Sequence, residues 1–478
     1  MRVIARWFLF AAVITACTAR IARAEGELPP DVIVTINKAV VEALAATGAP
    51  SASIAVIKDG KIAYRHAYGM ARVKPTAPAS SVMRYRIGSI SKQFVAAGIL
   101  LLAEDQKLSL DDKVERWLPD LTRAGEVTVR QLLSMTAGYQ DYWPQDYMMP
   151  AMLQPVSPQE ILKQWAHKPL DFEPGTKWQY SNTNYVIAGL IIEKAAGVPL
   201  FEFLQKRIFK PLEMTTVIDA SHGELPAPAT TGYLRYALGP VRPAPLEGAG
   251  WLFAAGDLAM TAGDLALWDL CVMNQQLFKP ESYRAMQTDV QLANGVGTGY
   301  GLGVCVQMSA DRRIIWHDGL VSGYTAQNYI YPDDRAAIVV LTNLDSAGAS
   351  ERIAARIADF ILPDNDPGAD KADSQAKQIF EGLQHGKIDR KLFTDNANAY
   401  FSQQALQDFA ASLGPLGAPV DFAPSPRSLR GGMVLRRYRA RLTQKSVDIS
   451  TFTTSDGKLE QYLVTPVEGC VTLPAEGP

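Results

Sequence analysis

Ser89 and Lys92 stand three positions apart in Arg86-Ile87-Gly88-Ser89-Ile90-Ser91-Lys92-Gln93-Phe94, where a strand-like approach ends at a glycine and an apolar helix opens. A hydroxyl at a helix N-terminus meets orphan backbone N–H groups and the positive end of the helix dipole. Both favour an activated serine oxygen and the oxyanion formed in acyl transfer. A lysine on the same helix face reaches that oxygen as a general base. Spacing alone does not decide the matter, because Ser374-Gln375-Ala376-Lys377 repeats it without chemical context, and a serine at a helix start is also an ordinary cap.

Two later stretches supply partners. Tyr180 and Asn182 close Glu173-Pro174-Gly175-Thr176-Lys177-Trp178-Gln179-Tyr180-Ser181-Asn182, and His317 and Gly319 lie in Ile314-Ile315-Trp316-His317-Asp318-Gly319. Taken singly, each has a bland reading: a half-buried aromatic, a helix cap, a satisfied strand histidine. A free lysine titrates near ~10.4 and a tyrosine near ~10, so neither is basic at neutral pH without help. Desolvation lowers a lysine, whereas a tyrosine needs a neighbouring cation. Lys92 beside Tyr180 would supply one and make the two titrate as a unit.

In this order, S-x-x-K at Ser89 and Lys92, Y-x-N at Tyr180 and Asn182, and H-x-G at His317 and Gly319 resemble the three elements of the serine β-lactamase and penicillin-binding protein superfamily. The likeness is to its class C β-lactamase-related, peptidase S12-like branch. Leu132-Leu133-Ser134-Met135-Thr136-Ala137-Gly138 and Gly299-Tyr300-Gly301-Leu302-Gly303 are similar to supporting stretches of that family, and the resemblance covers roughly residues 35–360. It implies Ser89 as nucleophile, Lys92 and Tyr180 as proton-transfer partners, and Asn182 holding Lys92 and a substrate amide. It further implies an oxyanion hole from the N–H groups of Ser89 and Leu320, and His317 orienting Tyr180 or touching substrate. The departure is His317, which replaces the lysine that helps bind a β-lactam carboxylate. A mostly neutral imidazole anchors a carboxylate poorly, which favours a small ester, amide or D-amino-acid peptide. A true β-lactamase or D,D-carboxypeptidase is the alternative, and an acylated sensor with little turnover is the non-enzyme one. A Ser-His-Asp hydrolase would need G-x-S-x-G, which is absent; Gly319 to Gly323 comes nearest with the wrong spacing. The loop Tyr139-Gln140-Asp141-Tyr142-Trp143 reads as aromatic packing or as pocket lining.

Composition narrows the field further. The 478 residues are 47% hydrophobic and 20% charged with a formal charge of −2, enough apolar material for a large core and no bulk attraction to nucleic acid. The expected partner is a small-molecule substrate. Five histidines without H-E-x-x-H spacing and four cysteines without C-x-x-C suggest neither metal nor cofactor. Residues 1–24 read as a signal peptide with Ala22-Arg23-Ala24 before the cut, so the product is exported to a periplasmic or extracellular place. A lipoprotein signal ending at residue 16, with a lipid anchor at Cys17, is the competing reading. Removal of Cys17 leaves Cys271, Cys305 and Cys470, no disulfide framework.

The elements that must hold these residues suggest an α+β fold. Strands over 51–57 and 61–68 join through Asp59-Gly60, and others follow at 299–307, 313–317, 327–331 and 336–342. Helices over 94–104, 158–165, 184–196 and 257–275 lie between, and one over 350–361 follows. The reading is an antiparallel sheet completed by the returning chain and flanked by helices, with an inserted helical subdomain, over 31–362. A Pro- and Gly-rich linker over 363–374 leads to a small α+β domain at 375–478. By element order that domain resembles NTF2-like or cystatin-like modules, with docking or oligomerisation as candidate roles. Its strand 433–442 carries Arg437, Arg439 and Arg441 on one face, read as solvated or as facing an anionic partner.

Overall fold

A computed structural model describes residues 27–309, 312–345, 347–362 and 368–467. The expected leader at 1–24 with Cys17, the linker residues 363–367 and Cys470 lie outside the described residues. The chain divides into two compact units. One runs to Gln307 and resumes over Arg313–Ile361; the other takes Met308–Arg312 and the chain from Leu362 onward.

The first unit is the α+β architecture read from the sequence. Its sheet has seven strands in the spatial order Ala77–Pro78, Lys61–Arg72, Ser51–Lys58, Ala336–Thr342, Tyr324–Tyr331, Arg312–Val321 and Cys305–Ser309. Asp59 (φ 53°) and Gly60 (φ 72°) both take the left-handed conformation that a tight hairpin turn requires, which is why Asp-Gly sits there. The central pairing joins chain segments far apart in sequence, with Ser53 opposite Leu341 in antiparallel register. Both central strands are buried on both faces, so they read as continuous apolar runs instead of alternating ones. Pro30–Thr47 and Ala349–Ile361 pack on each other over one face, and Ala262–Asn274 packs across the central strands. Successive strand residues point to opposite faces. Asn328 therefore turns to Asp269 of Ala262–Asn274, while Tyr329 feels the charge of Glu351 from Ala349–Ile361.

The helix Ser91–Glu104 is buried continuously from Ser91 to Leu102. Phe94 packs edge-on to Phe209 and against Trp268, with ring centres 5.3 and 4.8 Å away, a burial that contributes about 1.5–3 kcal/mol. Gln93 joins a buried polar chain: it accepts from Trp268 Nε1 at 2.8 Å and donates to Asn328 Oδ1 at 3.0 Å. This ties the helix to the sheet beside the site.

Several boundaries differ from the sequence reading. The helix Pro30–Thr47 was not anticipated, although Pro30 in its first turn, Gly48 (φ 73°) at its end and buried Ile36, Ala39, Val40, Ala43 and Thr47 at helical spacing mark it. The strand expected over 299–307 begins only at Cys305 and runs to Ser309. Gly299 and Gly303 take positive φ, and a Cβ on Gly303 would lie 2.8 Å from the Lys92 carbonyl oxygen, so this loop packs onto the helix that carries Lys92. The helix expected over 257–275 begins at Ala262, where Thr261 caps it by accepting from Asp264 N, and Leu258–Met260 is a short strand.

In the second unit, helices Ala369–Leu383, Asp395–Tyr400 and Gln403–Leu413 accompany a four-stranded antiparallel meander of Asp421–Arg430, Met433–Arg441, Ser446–Thr453 and Leu459–Pro466. Residues 369–374, read as linker, form the first turns of a helix whose Ala376, Ile379, Phe380 and Leu383 enter the unit's core. Asp421–Arg430 is a further strand that the sequence reading does not include; it contains Pro424 and lies at the sheet edge, where a missing N–H is tolerated. Arg439 pairs with Asp448 at 2.8 Å and Arg441 faces Asp421 at 4.0 Å, which neutralises much of the arginine-rich strand.

Candidate active site

Gly88–Ile90 forms a short 3₁₀ turn that runs straight into Ser91–Glu104, so Ser89 stands at the mouth of a rigid helix and keeps partial exposure. The turn needs two glycines. Gly88 has φ 53° and a Cβ there would lie 2.8 Å from Leu320 N; a Cβ on Gly319 would lie 1.9 Å from the Ile87 carbonyl oxygen. The strand Arg312–Val321 thus meets the nucleophile segment backbone to backbone, which sets Leu320 N beside residue 88. A buried ion pair fixes the same approach: Arg86 Nη1 donates to Glu247 Oε2 at 3.1 Å, and Glu247 Oε1 accepts from Ser322 N at 2.8 Å.

Ser89, Lys92, Tyr180 and Asn182 meet in one place. Ser89 Oγ accepts from Lys92 Nζ at 2.9 Å and from Tyr180 Oη at 2.8 Å. Lys92 Nζ also donates to Asn182 Oδ1 at 2.8 Å and to the Ala255 carbonyl at 2.7 Å, which uses all three donors of an ammonium. Tyr180 is delivered by the stretch 132–138, since Gln179 N donates to Met135 O at 3.0 Å and Gly175 N to Thr136 O at 2.8 Å. The helix Asn182–Ala196 then begins on Asn182 itself.

Burial dominates the electrostatics. It lowers Lys92 to about 7, against the opposing pull of Asp141, Asp318 and Asp257. Burial pushes Tyr180 well above its usual range, and the hydrogen bond to Ser89 recovers only part of that. The sequence reading had a nearby cation favouring the phenolate; with Lys92 Nζ 4.9 Å from the ring centre, desolvation outweighs it and the phenol keeps its proton.

His317 lies beside Tyr180 but does not line the cleft. It is buried, and its Nδ1 donates to the Asp318 carbonyl at 2.6 Å, which leaves Nε2 to accept from Tyr300 Oη at 3.0 Å. Burial lowers its proton affinity, in keeping with that neutral form. Its ring centre is 6.3 Å from that of Tyr180. An open cleft of about 930 Å³ is lined by Ser89, Tyr180, Asn182, Asp318 and Leu320, whereas His317 and Gly319 lie behind that surface and shape the strand.

Asp141 was missed as a polar residue, since the loop that carries it was read for its aromatics, as packing or as pocket lining. Its Oδ1 accepts from Asn182 N at 2.9 Å and its Oδ2 from Asn182 Nδ2 at 3.3 Å, so it turns the amide oxygen toward Lys92. The Ala255 carbonyl was also missed. A backbone acceptor leaves no mark in residue type, although Asp257 stabilises that turn by accepting from Ala254 N at 3.1 Å.

The sequence profile described as Beta-lactamase matches residues 36–361, well over half the chain. The chain belongs to the Beta-lactamase family. Among its relatives, Penicillin-binding protein 4* of Bacillus subtilis (strain 168) is 29% identical over 326 residues, covering 65% of this chain and 72% of that protein. A D-aminopeptidase of Brucella anthropi is 29% identical over 63% of this family member, which spans 57% of the relative's own length. In three dimensions it is similar to the D-amino acid amidase of Ochrobactrum anthropi SV3 solved with L-phenylalanine amide. That match has a TM-score of 0.61 and 26% identity, and covers 69% of this chain and 98% of the other.

Proposed function

We propose that this Beta-lactamase family member is a serine hydrolase that acts through an acyl-enzyme on small esters and on amides of the D-amino-acid type. The observation that carries the reading is a single hydroxyl, Ser89 Oγ, held between Lys92 Nζ and Tyr180 Oη at 2.9 and 2.8 Å. Neutral Lys92 takes the Ser89 proton as Oγ bonds to the substrate carbonyl carbon, and the N–H groups of Ser89 and Leu320 hold the oxyanion. Tyr180, still protonated, gives its proton to the leaving nitrogen or oxygen as that bond breaks, and Lys92 returns one to the phenolate. Water then attacks the acyl carbon as neutral Lys92 takes its proton, Ser89 Oγ leaves with the proton of Tyr180, and Lys92 again restores the phenol. The choice of amide draws on the D-aminopeptidase and D-amino acid amidase relatives. Export directed by the leader completes the proposal.

Hydrolysis of p-nitrophenyl acetate tests it. The Ser89→Ala variant should lose at least about 10³-fold in kcat/KM, since removing a nucleophile removes the covalent route. Undiminished turnover by that variant would exclude the scheme. The similarity to a penicillin-binding protein supports a second reading, acylation with slow release. A burst of one equivalent followed by silence would favour it.

A further inference from the structure

We infer that Asp318 is a specificity residue that pairs with the ammonium group of an amino-acid-type substrate and turns carboxylate-bearing substrates away; the inference rests on the hydrolase reading of the same cleft. Asp318 is the middle residue of His317-Asp318-Gly319, and its side chain lines the cleft with 61% of its surface exposed. It lies two residues before Leu320 on the strand that touches Gly88, roughly 6.6 Å along the strand from the intended oxyanion site. An α-ammonium one carbon from the attacked carbonyl falls within side-chain reach of that point.

The carboxylate is not committed elsewhere. Among the described residues it takes no lysine or arginine partner. The His317 ring nitrogen 3.8 Å away already gives its proton to the Asp318 backbone carbonyl at 2.6 Å. Of the cleft's other acids, Asp141 holds Asn182 and Asp345 accepts from Gly323 N at 3.2 Å, while Asp146 lies on the aromatic loop and not on the strand that carries Leu320. The cleft's arginine, Arg235, is anchored to the Thr47 carbonyl at 2.8 Å, at the end of the helix Pro30–Thr47, and makes no ion pair with Asp318. The charge of Asp318 reaches Lys92 and Tyr180 alike, which sets it in the field of the reacting atoms. With a buried, neutral histidine at 317 and an exposed acid at 318, this strand repels a substrate carboxylate where it would attract an amine.

The test uses the full chain and p-nitrophenyl acetate turnover, with D-phenylalanine amide and its N-acetyl derivative as competing ligands. The quantity read is the ratio of the two inhibition constants within each protein. That ratio is independent of any change the substitution makes to the ester rate. The unsubstituted chain should bind the free amine about tenfold or more tightly than the acetylated one, the scale of one charge-assisted contact. Asp318→Asn should bring the ratio close to one, and Asp318→Lys should invert it. Calorimetric titration supplies the ratio for a variant whose ester turnover is slow. A starting ratio at or below one, or a ratio that Asp318→Asn leaves unchanged, overturns the inference alone. If the unsubstituted chain neither turns over the ester nor is labelled at Ser89 by a fluorophosphonate, the hydrolase reading falls and takes the inference with it.

Discussion

At the residue scale the deciding quantity is where protons sit among Ser89, Lys92 and Tyr180. Lys92 must be neutral to accept the serine proton, and burial holds it at about 7. The log of kcat/KM for a neutral ester should therefore rise with pH and level off above about 7 as the ammonium is lost. Asp141 is the largest of the charges that oppose this, because a nearby carboxylate favours the protonated amine. Asp141→Asn removes that charge, so the rising limb should move to lower pH. The plateau should also fall about tenfold or more as Asn182 loses its orientation. A pH–rate profile checks both, and a limb that shifts upward would contradict the assignment of the base.

At the element scale the site depends on two backbones coming closer than side chains permit. Gly319→Ala sets a Cβ 1.9 Å from a carbonyl oxygen that belongs to the main chain and cannot swing aside. The strand and the nucleophile turn must then separate. The expected cost is about 1–3 kcal/mol, read as a lower urea midpoint with unchanged slope. The displacement falls on Leu320, so ester turnover should drop in the fraction that remains folded. The sequence marks Gly319 as part of a motif; its physical duty, close approach to Ile87, appears only when the two elements are seen together.

At the scale of the whole molecule, Ser89, Lys92, Tyr180, Asn182 and Asp318 belong to the first unit, which has a continuous core of its own, and the second unit has a separate core. Each therefore meets the usual requirement for independent folding. A chain ending at Leu362 should stay soluble and keep the kcat/KM of the longer chain for p-nitrophenyl acetate. Loss of turnover with an intact melting transition would assign the second unit a part in catalysis.

The sequence by itself determined the residues whose effect is local and chemical. Asp-Gly between two β-rich runs specified a hairpin, and a serine three positions before a lysine at a helix start specified a nucleophile candidate. Strands at both ends of the first unit, with helices between them, specified the α+β class. Tertiary structure alone decided the quantities that depend on what surrounds a group. The motif pairs Lys92 with Asn182, but composition near Lys92 does not reveal the Ala255 carbonyl it donates to, nor that desolvation dominates the proton affinity of Tyr180. His317 looked like a cleft residue because it belongs to the motif, yet strand alternation and Tyr300 turn it inward. Asp141 passed as one letter in an aromatic loop. Residue type and spacing are fixed along the chain, whereas dielectric, exposure and partner are set by segments that meet only after folding.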